Sequence, residues 1–123
     1  MRIEELLSLM DVLLGENGCP WDREQTHTSL RECMIEECNE AVEAIDAGDM
    51  DSLREELGDV LLQVVFHAKL AERAGAFTFY DIVGALGRKI VDRHSHVFGS
   101  DKAVTADDAR RIWDANKKKH SGK

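Results

Sequence analysis

The sequence has little proline and few aromatic residues, and its charge is mostly of one sign. There is one proline in 123 residues, and aromatic residues make up 6%. This composition disfavours a β-sandwich, whose strands and turns need more of both. The formal net charge of −8 argues against non-specific nucleic-acid binding, which requires a broad basic face. We therefore expect a mainly helical protein with no nucleic-acid partner.

Long apolar runs and paired cysteines are also missing. The longest apolar runs fall far short of a membrane span, and the first residues lack the apolar core of a secretory signal. These features predict a cytoplasmic protein with no membrane partner. Cys19, Cys33 and Cys38 show no C-x-x-C spacing, which indicates neither a disulfide framework nor a zinc site. We expect all three to be small, reduced core residues.

Apolar side chains recur at three- and four-residue steps, the pattern of amphipathic helices. The pattern predicts five helices. The first two cover residues 3–14 and 28–47, and the third begins near residues 49–52, with Ser52 and Glu55 as a candidate capping box, and ends at Gly75. The fourth opens at Thr78, and the fifth opens at Thr105 with Asp108. Residues 15–22 and 93–103 are predicted to be irregular. With 43% hydrophobic residues, the chain can bury one core. We predict a single all-α domain over residues 1–123, a small helical bundle in which residues 117–123 form a frayed tail.

Two pairs of acidic residues lie at the edge of the apolar stripes. Glu37 and Glu40 are three residues apart on the second predicted helix, and Glu56 and Asp59 are three apart on the third. If the chain reverses at Gly48, Glu40 and Glu56 each lie eight residues from the turn, and Glu37 and Asp59 each lie eleven. Residues equally far from a helical hairpin's turn lie at the same level. The four carboxylates should therefore converge in one patch of a central antiparallel hairpin.

Four carboxylates between helices repel one another unless a cation neutralises them. An all-oxygen ligand set suits a hard ion, so the pattern predicts Mg²⁺, with Mn²⁺ as a substitute. The alternative is an ordinary solvated helix face, which would be the better interpretation of either pair alone. A di-iron site is disfavoured because Glu24 and His27 form the one E-x-x-H motif, outside the matched level.

Four segments resemble those of a known family in the same order. They are CPWDREQTHTSL at residues 19–30, EECNE at 36–40, REELGDVLLQVVFHAKLAE at 54–72 and RHSHVFG at 93–99. Together they resemble the MazG family of nucleoside triphosphate pyrophosphohydrolases, in the all-α NTP pyrophosphatase superfamily. The resemblance implies house-cleaning hydrolysis of an NTP or dNTP to the monophosphate and pyrophosphate. It also implies Mg²⁺ ligands at Glu37, Glu40, Glu56 and Asp59.

The resemblance implies roles for five further side chains. Glu36 is a candidate general base or water-positioning residue, and a solvated helix residue is its alternative interpretation. Lys89 and Arg93, one helical turn apart, are candidate phosphate contacts. Trp113 is a candidate for stacking on the base, although a helical tryptophan is more often a core residue. Trp21 either packs in the core or borders the nucleotide.

Three residues depart from the usual family pattern. Ser95 stands where proline is frequent, Asp92 where a basic residue is frequent and Asn39 where an aromatic residue is frequent, which leaves base preference open. The alternatives are a narrow-specificity relative, acting on dCTP, dUTP or phosphoribosyl-ATP, and a non-catalytic helical interaction module. Because many relatives carry two such domains, the resemblance also implies a homodimer or homotetramer.

Overall fold

The chain forms seven α-helices over residues 1–120, the part that the structure, a computed structural model, describes. They are α1 (Ile3–Leu14), α2 (Pro20–Arg23), α3 (Arg31–Ala47), α4 (Met50–Arg73), α5 (Phe79–Arg93), α6 (Ser95–Phe98) and α7 (Ala106–His120). No strand occurs in this part of the chain. The predicted all-α class is confirmed. Among residues 1–120, no helix is both long and apolar enough to cross a membrane.

The helices fall into two compact units, Met1–Phe79 and Tyr80–Lys123. In the first unit, α4 packs against both α3 and α1, and α2 contacts α1. Its core is a cluster of buried apolar side chains, namely Leu7, Met10, Leu14, Leu30, Val65 and Phe66. In the second unit, α6 packs against α7. The prediction of a single domain stays a prediction.

The turn between α3 and α4 is fixed by Gly48 and Asp49. Gly48 has φ +68°, the left-handed conformation that favours glycine at the end of a helix. Its N–H donates to the carbonyls of Ala44 and Ile45. The Asp49 carboxylate then accepts a hydrogen bond from the Ser52 N–H at 3.1 Å, which makes Asp49 the N-cap of α4. Helix α4 therefore begins at Met50, within the predicted range of residues 49–52, but its N-cap is Asp49 and not the predicted Ser52.

Other boundaries also differ from the predicted ones. The second predicted helix begins at Arg31, three residues later than predicted, because Thr26 and Ser29 form a turn before it. The Thr26 N–H donates to Ser29 Oγ at 2.8 Å, and the Ser29 N–H donates to Thr26 Oγ1 at 3.0 Å. The short helices α2 and α6 lie in segments predicted to be irregular. The predicted cap at Thr105 and Asp108 is confirmed, since the Asp108 carboxylate accepts the Thr105 N–H at 3.2 Å and the Asp108 N–H donates to Thr105 Oγ1 at 3.1 Å. Helix α7 continues to His120, so residues 117–120 are helical, and the rest of the predicted frayed tail lies outside the described residues.

The positions of the apolar residues along the helices were predicted better than the burial of their side chains. On α1, Leu7, Met10 and Leu14 are buried as expected. Ile45 on α3 and Leu57 on α4, in contrast, are 59% and 52% exposed. Periodicity identifies the apolar face of a helix, but it does not say whether a neighbour covers that face. The same error applies to Cys38, which is exposed, whereas Cys19 and Cys33 are partly buried.

A buried ion pair joins α1 to α4. The Lys69 ammonium lies 3.0 Å from a carboxylate oxygen of Asp11 and 3.3 Å from one of Glu72, while the lysine side chain is only 8% exposed. Burial by itself would lower the pKa of Lys69, but the hydrogen bonds and charges of the two acids outweigh it and raise the pKa. Lys69 is therefore charged and fully partnered.

Candidate functional site

The hairpin of α3 and α4 brings the two acidic pairs together. Glu37 and Glu40 come from α3, and Glu56 and Asp59 come from α4. One carboxylate oxygen of each residue can be chosen so that all four lie within 4.8 Å of one another. The equal distances from Gly48 are the reason, because both helices rise about 1.5 Å per residue away from the turn. We call these four residues the acidic cluster.

The acidic cluster lies at the edge of the core rather than in open solvent. Glu37, Glu40 and Glu56 are partly buried, and Asp59 is exposed. Glu37 Oε2 and Glu56 Oε2 are both fully covered, and neither has a hydrogen-bond partner among residues 1–120. Covered carboxylate oxygens without a donor are costly for a folded protein. The two oxygens are therefore acceptors that the described chain leaves unused.

The partial burial of the cluster also changes the pKa values of its carboxyl groups. Loss of hydration raises the pKa of Glu37, and the negative charges of Glu40 and Asp59 raise it further. Loss of hydration also raises the pKa of Glu56, followed by a hydrogen bond with Glu40 and the charge of Glu40. Both shifts mean that the folded protein disfavours the fully ionised cluster in the absence of a cation.

The donor set fits a hard divalent cation. All four candidate ligands are carboxylate oxygens, the donors that Mg²⁺, Mn²⁺ and Ca²⁺ take in proteins. In octahedral Mg²⁺ coordination, opposite ligand oxygens are about 4.2 Å apart, twice the metal–oxygen distance of about 2.1 Å. The 4.8 Å spread of the cluster needs only a small inward movement to match this. The cluster can hold a metal ion.

Glu36 precedes the cluster on α3 but is not one of its members. Its side chain is exposed and lines a surface groove along α3 together with Asn39, Glu40 and Glu43. A step of one residue turns a helical side chain by about 100°, which is why Glu36 and Glu37 face different surroundings. Glu36 nevertheless borders the cluster, because the groove includes Glu40.

A mostly apolar cavity of about 240 Å³ adjoins the cluster on the other side. Its apolar walls are formed by Met10, Leu13, Trp21, Leu30, Leu62 and Phe66, and Glu37 belongs to both the cavity and the cluster. The Trp21 side chain is 56% exposed, so it forms part of the rim and is not a core residue. The packing alternative for Trp21 is therefore less well supported than a position bordering a ligand.

Gln63 was not among the predicted site residues, yet it lies in the wall of this cavity. Gln63 is only 7% exposed, and its Oε1 is buried without a hydrogen-bond partner in the described chain. An unpaired buried oxygen of this kind costs about 1–3 kcal/mol. The available signal was a lone amide within the apolar run Leu61 to Phe66.

The second unit holds the remaining predicted site residues. The Arg93 guanidinium lies 5.0 Å from the centre of the Trp113 ring, and the Lys117 ammonium lies 5.3 Å from it, both within range of cation–π attraction. Trp113 thus holds cations close to its ring. Lys89 is exposed on α5, one turn before Arg93.

The two histidines after α5 have different surroundings. His94 Nδ1 lies 2.6 Å from the carbonyl oxygen of Ile90, a contact that holds the imidazole against the last turn of α5. His96 Nδ1 is buried without a partner among residues 1–120. Both side chains line a cavity of about 350 Å³ with Trp113 and Arg110, all within the second unit.

Comparison with known families gives a match over residues 25–98 to the MazG nucleotide pyrophosphohydrolase domain. The matched segment is more than half of the chain, and it contains all four residues of the acidic cluster. The chain belongs to the MazG family. The resemblance seen in the sequence motifs is therefore confirmed at the level of the family.

Several proteins are similar to this MazG domain over almost its whole length. A nucleoside triphosphate pyrophosphohydrolase/pyrophosphatase MazG of Thermotoga maritima is 48% identical over 120 residues, 98% of this chain and 46% of the relative. A nucleoside triphosphate pyrophosphohydrolase of Escherichia coli K12 is 43% identical over 114 residues, 92% of this chain and 43% of the relative. The chain thus spans less than half the length of either protein.

A solved structure has a similar fold. The crystal structure of a MazG-related protein from Thermotoga maritima superposes with a TM-score of 0.74, at 28% sequence identity, and the match covers 94% of this chain and 98% of the other. The helical arrangement of this MazG domain is therefore one that an experimentally determined relative also adopts.

Proposed function

We propose that this MazG domain hydrolyses nucleoside triphosphates, ribo or deoxy, to the monophosphate and pyrophosphate in a Mg²⁺-dependent reaction, as a house-cleaning enzyme of the nucleotide pool. The observation that carries the proposal is the acidic cluster: four carboxylates within 4.8 Å of one another, two of them with buried, unpartnered oxygens, in a chain of the MazG family. The names of the relatives, nucleoside triphosphate pyrophosphohydrolases, support the class of reaction.

In this proposal Glu37, Glu40, Glu56 and Asp59 hold Mg²⁺, with Mn²⁺ as a substitute. When bound, the ion would supply the positive charge that an anionic triphosphate needs in an acidic site, and it would polarise the phosphoanhydride. The protein's part is to fix the four oxygens on two rigid helices, which leaves little to reorganise during the reaction.

Glu36 is proposed to accept the proton of the attacking water or to orient that water. Its carboxylate is exposed and borders the cluster through the groove shared with Glu40. A general base has to lie within hydrogen-bond reach of the water, and Glu36 is an exposed carboxylate that neighbours the four converging ones without being one of them.

Lys89 and Arg93 are proposed to bind phosphate oxygens, where positive charge stabilises the charge that develops in phosphoryl transfer. The Arg93 guanidinium rests against Trp113, which would restrain it without removing its charge. For Trp113, this contact supports a role in positioning Arg93 beside the proposed role in stacking on the base. Trp21, at the rim of the cavity next to Glu37, is proposed to border the nucleotide.

A homodimer or homotetramer remains a proposal, as do the cytoplasmic setting and the lack of a nucleic-acid partner. In the described chain, Ile35, Val42 and Ile45 on α3 and Leu57 on α4 are all more than half exposed. Exposed apolar patches of this kind are typical of surfaces between subunits.

The experiment is incubation of the protein with each common NTP and dNTP and Mg²⁺, followed by identification of the products. Monophosphate and pyrophosphate are expected, and their formation should stop when EDTA removes the metal. Turnover of one base alone would favour the narrow-specificity alternative, such as a dCTP or dUTP hydrolase, and phosphoribosyl-ATP is tested in the same series. Diphosphate and phosphate as products would contradict the proposal. Absence of both turnover and metal binding would favour a non-catalytic interaction module.

A further inference from the structure

The cavity beside the acidic cluster combines an aromatic rim, apolar walls and one unsatisfied amide. Trp21 presents much of its indole to solvent at the rim, and Phe66 closes the wall as part of the buried core. The volume of about 240 Å³ suits a single heterocyclic ring system rather than an acyl chain or a peptide segment. Such surroundings favour a flat aromatic ligand that carries a few polar atoms at its edge.

Gln63 is the neutral polar side chain in the lining, which also includes the carboxylates of Asp22 and Glu37. It lies one turn after Asp59 on α4, about 6 Å along the helix axis at 1.5 Å per residue. Its Oε1 is buried and has no hydrogen-bond partner in the described chain. Because Oε1 is covered, the Gln63 side chain has to turn towards the cavity to meet a ligand. A ligand donor would then satisfy this oxygen, whereas an apolar ligand would leave it unpaired.

We propose that Gln63 determines base specificity at this site, by accepting a hydrogen bond at Oε1 from an N–H group on the edge of the base. The proposal rests on the proposed function for the reaction, but it places the base of the nucleotide in the cavity next to the cluster instead of against the ring of Trp113. Glu37 belongs to both, so one ligand can reach the cavity and the acidic cluster together. The amide also carries an N–H₂ donor, which suits bases that place an acceptor beside the donor.

The test is Gln63→Met, which keeps the length of the side chain and removes its hydrogen-bonding atoms. The matched control is Leu61→Met, a change to the same residue on α4 at an exposed position outside the cavity lining. Binding is measured by calorimetry with Mg²⁺, using the α,β-methylene analogues of the common nucleoside triphosphates. Inorganic tripolyphosphate is the probe without a base.

Gln63→Met should weaken binding of the preferred nucleotide by about tenfold, the value of one good hydrogen bond. It should reduce the preference among bases and leave tripolyphosphate binding unchanged. A nucleotide analogue whose base lacks the N–H donor should bind the native protein as weakly as the preferred nucleotide binds Gln63→Met. The Gln63→Met protein should bind the analogue and the preferred nucleotide equally well. Leu61→Met should keep the native order of preference.

Two results would overturn the proposal while leaving the proposed function intact. One is a Gln63→Met protein with the native order of base preference. The other is equal loss of tripolyphosphate and nucleotide binding, which would assign Gln63 to support of the metal site. If neither tripolyphosphate nor any nucleotide binds the native protein, the proposed function fails as well. Gln63→Leu is made in parallel, so that the result does not depend on one variant folding.

Discussion

Helix α4 carries two groups of charged side chains that differ in how their charge is balanced. Near its C-terminal end, the buried Lys69 ammonium is paired with Asp11 and Glu72 at 3.0 and 3.3 Å. Near its N-terminal end, Glu56 and Asp59 converge with Glu37 and Glu40, and no ion pair to a cation forms there within residues 1–120. Helix α4 thus holds one group whose charges are paired within the chain and one group whose charges are not.

The difference separates a structural role from a binding role. A paired and buried charge contributes to the packing of α1 on α4, and removal of a partner damages the fold. Converging like charges work against the fold, and they become favourable once a ligand of opposite charge binds. The two groups should therefore respond to mutation with opposite signs, which can be measured.

The largest expected effect comes from Glu56→Gln in the acidic cluster. Loss of one proposed ligand should reduce pyrophosphohydrolase activity by more than about 100-fold, since changes to residues that only hydrogen-bond to the ligands of a metal already cost about 10- to 100-fold. In EDTA the melting temperature should stay the same or rise, because one repelling charge is gone. The rise in melting temperature that saturating Mg²⁺ gives the native protein should be lost.

Glu55→Gln is the matched control for this variant. It makes the same change of side chain and charge one position earlier on α4, at a residue that is exposed and outside the cluster. Activity and the Mg²⁺-dependent rise should both be retained. If Glu55→Gln and Glu56→Gln behaved alike, the assignment of ligands would be wrong.

A loss of stability in the metal-free protein, opposite in sign to the effect of Glu56→Gln, is expected for Asp11→Asn combined with Glu72→Gln. Both changes leave Lys69 buried without a charged partner, which should lower the free energy of unfolding by about 1–3 kcal/mol. Urea unfolding in EDTA measures the loss, and the Mg²⁺-dependent stabilisation should remain. A double variant as stable as the native protein would show that the pair contributes nothing to the packing of α1.

The sequence was sufficient to predict the cluster because the prediction needed only local geometry. A glycine stop, two regular helices and equal spacing on both sides of Gly48 bring Glu40 to the level of Glu56 whatever else the chain does. The partners of Lys69 did not follow from such arithmetic, since Asp11 comes from a different helix. Contacts between distant segments depend on packing angles that periodicity does not contain.

The same reasoning explains the other misses. Helices α2 and α6 have four residues each, too few to show a period of 3.6. The burial of Gln63 depends on α1 and α3 closing around α4, so its amide looked like an ordinary interruption of an apolar run. The exposure of Ile45 and Leu57 could not be predicted, because an apolar helix face predicts a contact but does not say which surface provides it.

The smallest expected effect is a pH dependence of stability that comes from Glu56. Its pKa is raised above the ordinary value of 4.5, first by loss of hydration and then by Glu40. A carboxyl with a raised pKa in the folded state stabilises the metal-free protein below 4.5, and this contribution is lost as the pH rises through the raised pKa. Metal-free protein should therefore gain stability from this group when it is acidified.

His67 acts in the opposite direction and has to be removed from the measurement. Burial lowers its pKa below 6.5, followed by the effect of His27, whose Nδ1 lies 2.7 Å from the His67 Nδ1. Because the folded state resists protonation of this ring, its contribution to stability is lost as the pH falls through 6.5 towards the lowered pKa. Native protein and Glu56→Gln share His67, so the difference between their melting temperatures cancels its contribution.

That difference, measured in EDTA, should shrink as the pH falls from about 7.5 to about 5, because protonation of Glu56 makes the native protein resemble the variant. With saturating Mg²⁺ at the higher pH, the native protein should become the more stable of the two, since the ion binds only the intact cluster. A difference that stays constant across this range in EDTA would mean that Glu56 ionises as freely in the folded chain as in the unfolded one. The acidic cluster would then be as well hydrated as any surface acid, and its contrast with Lys69 would disappear.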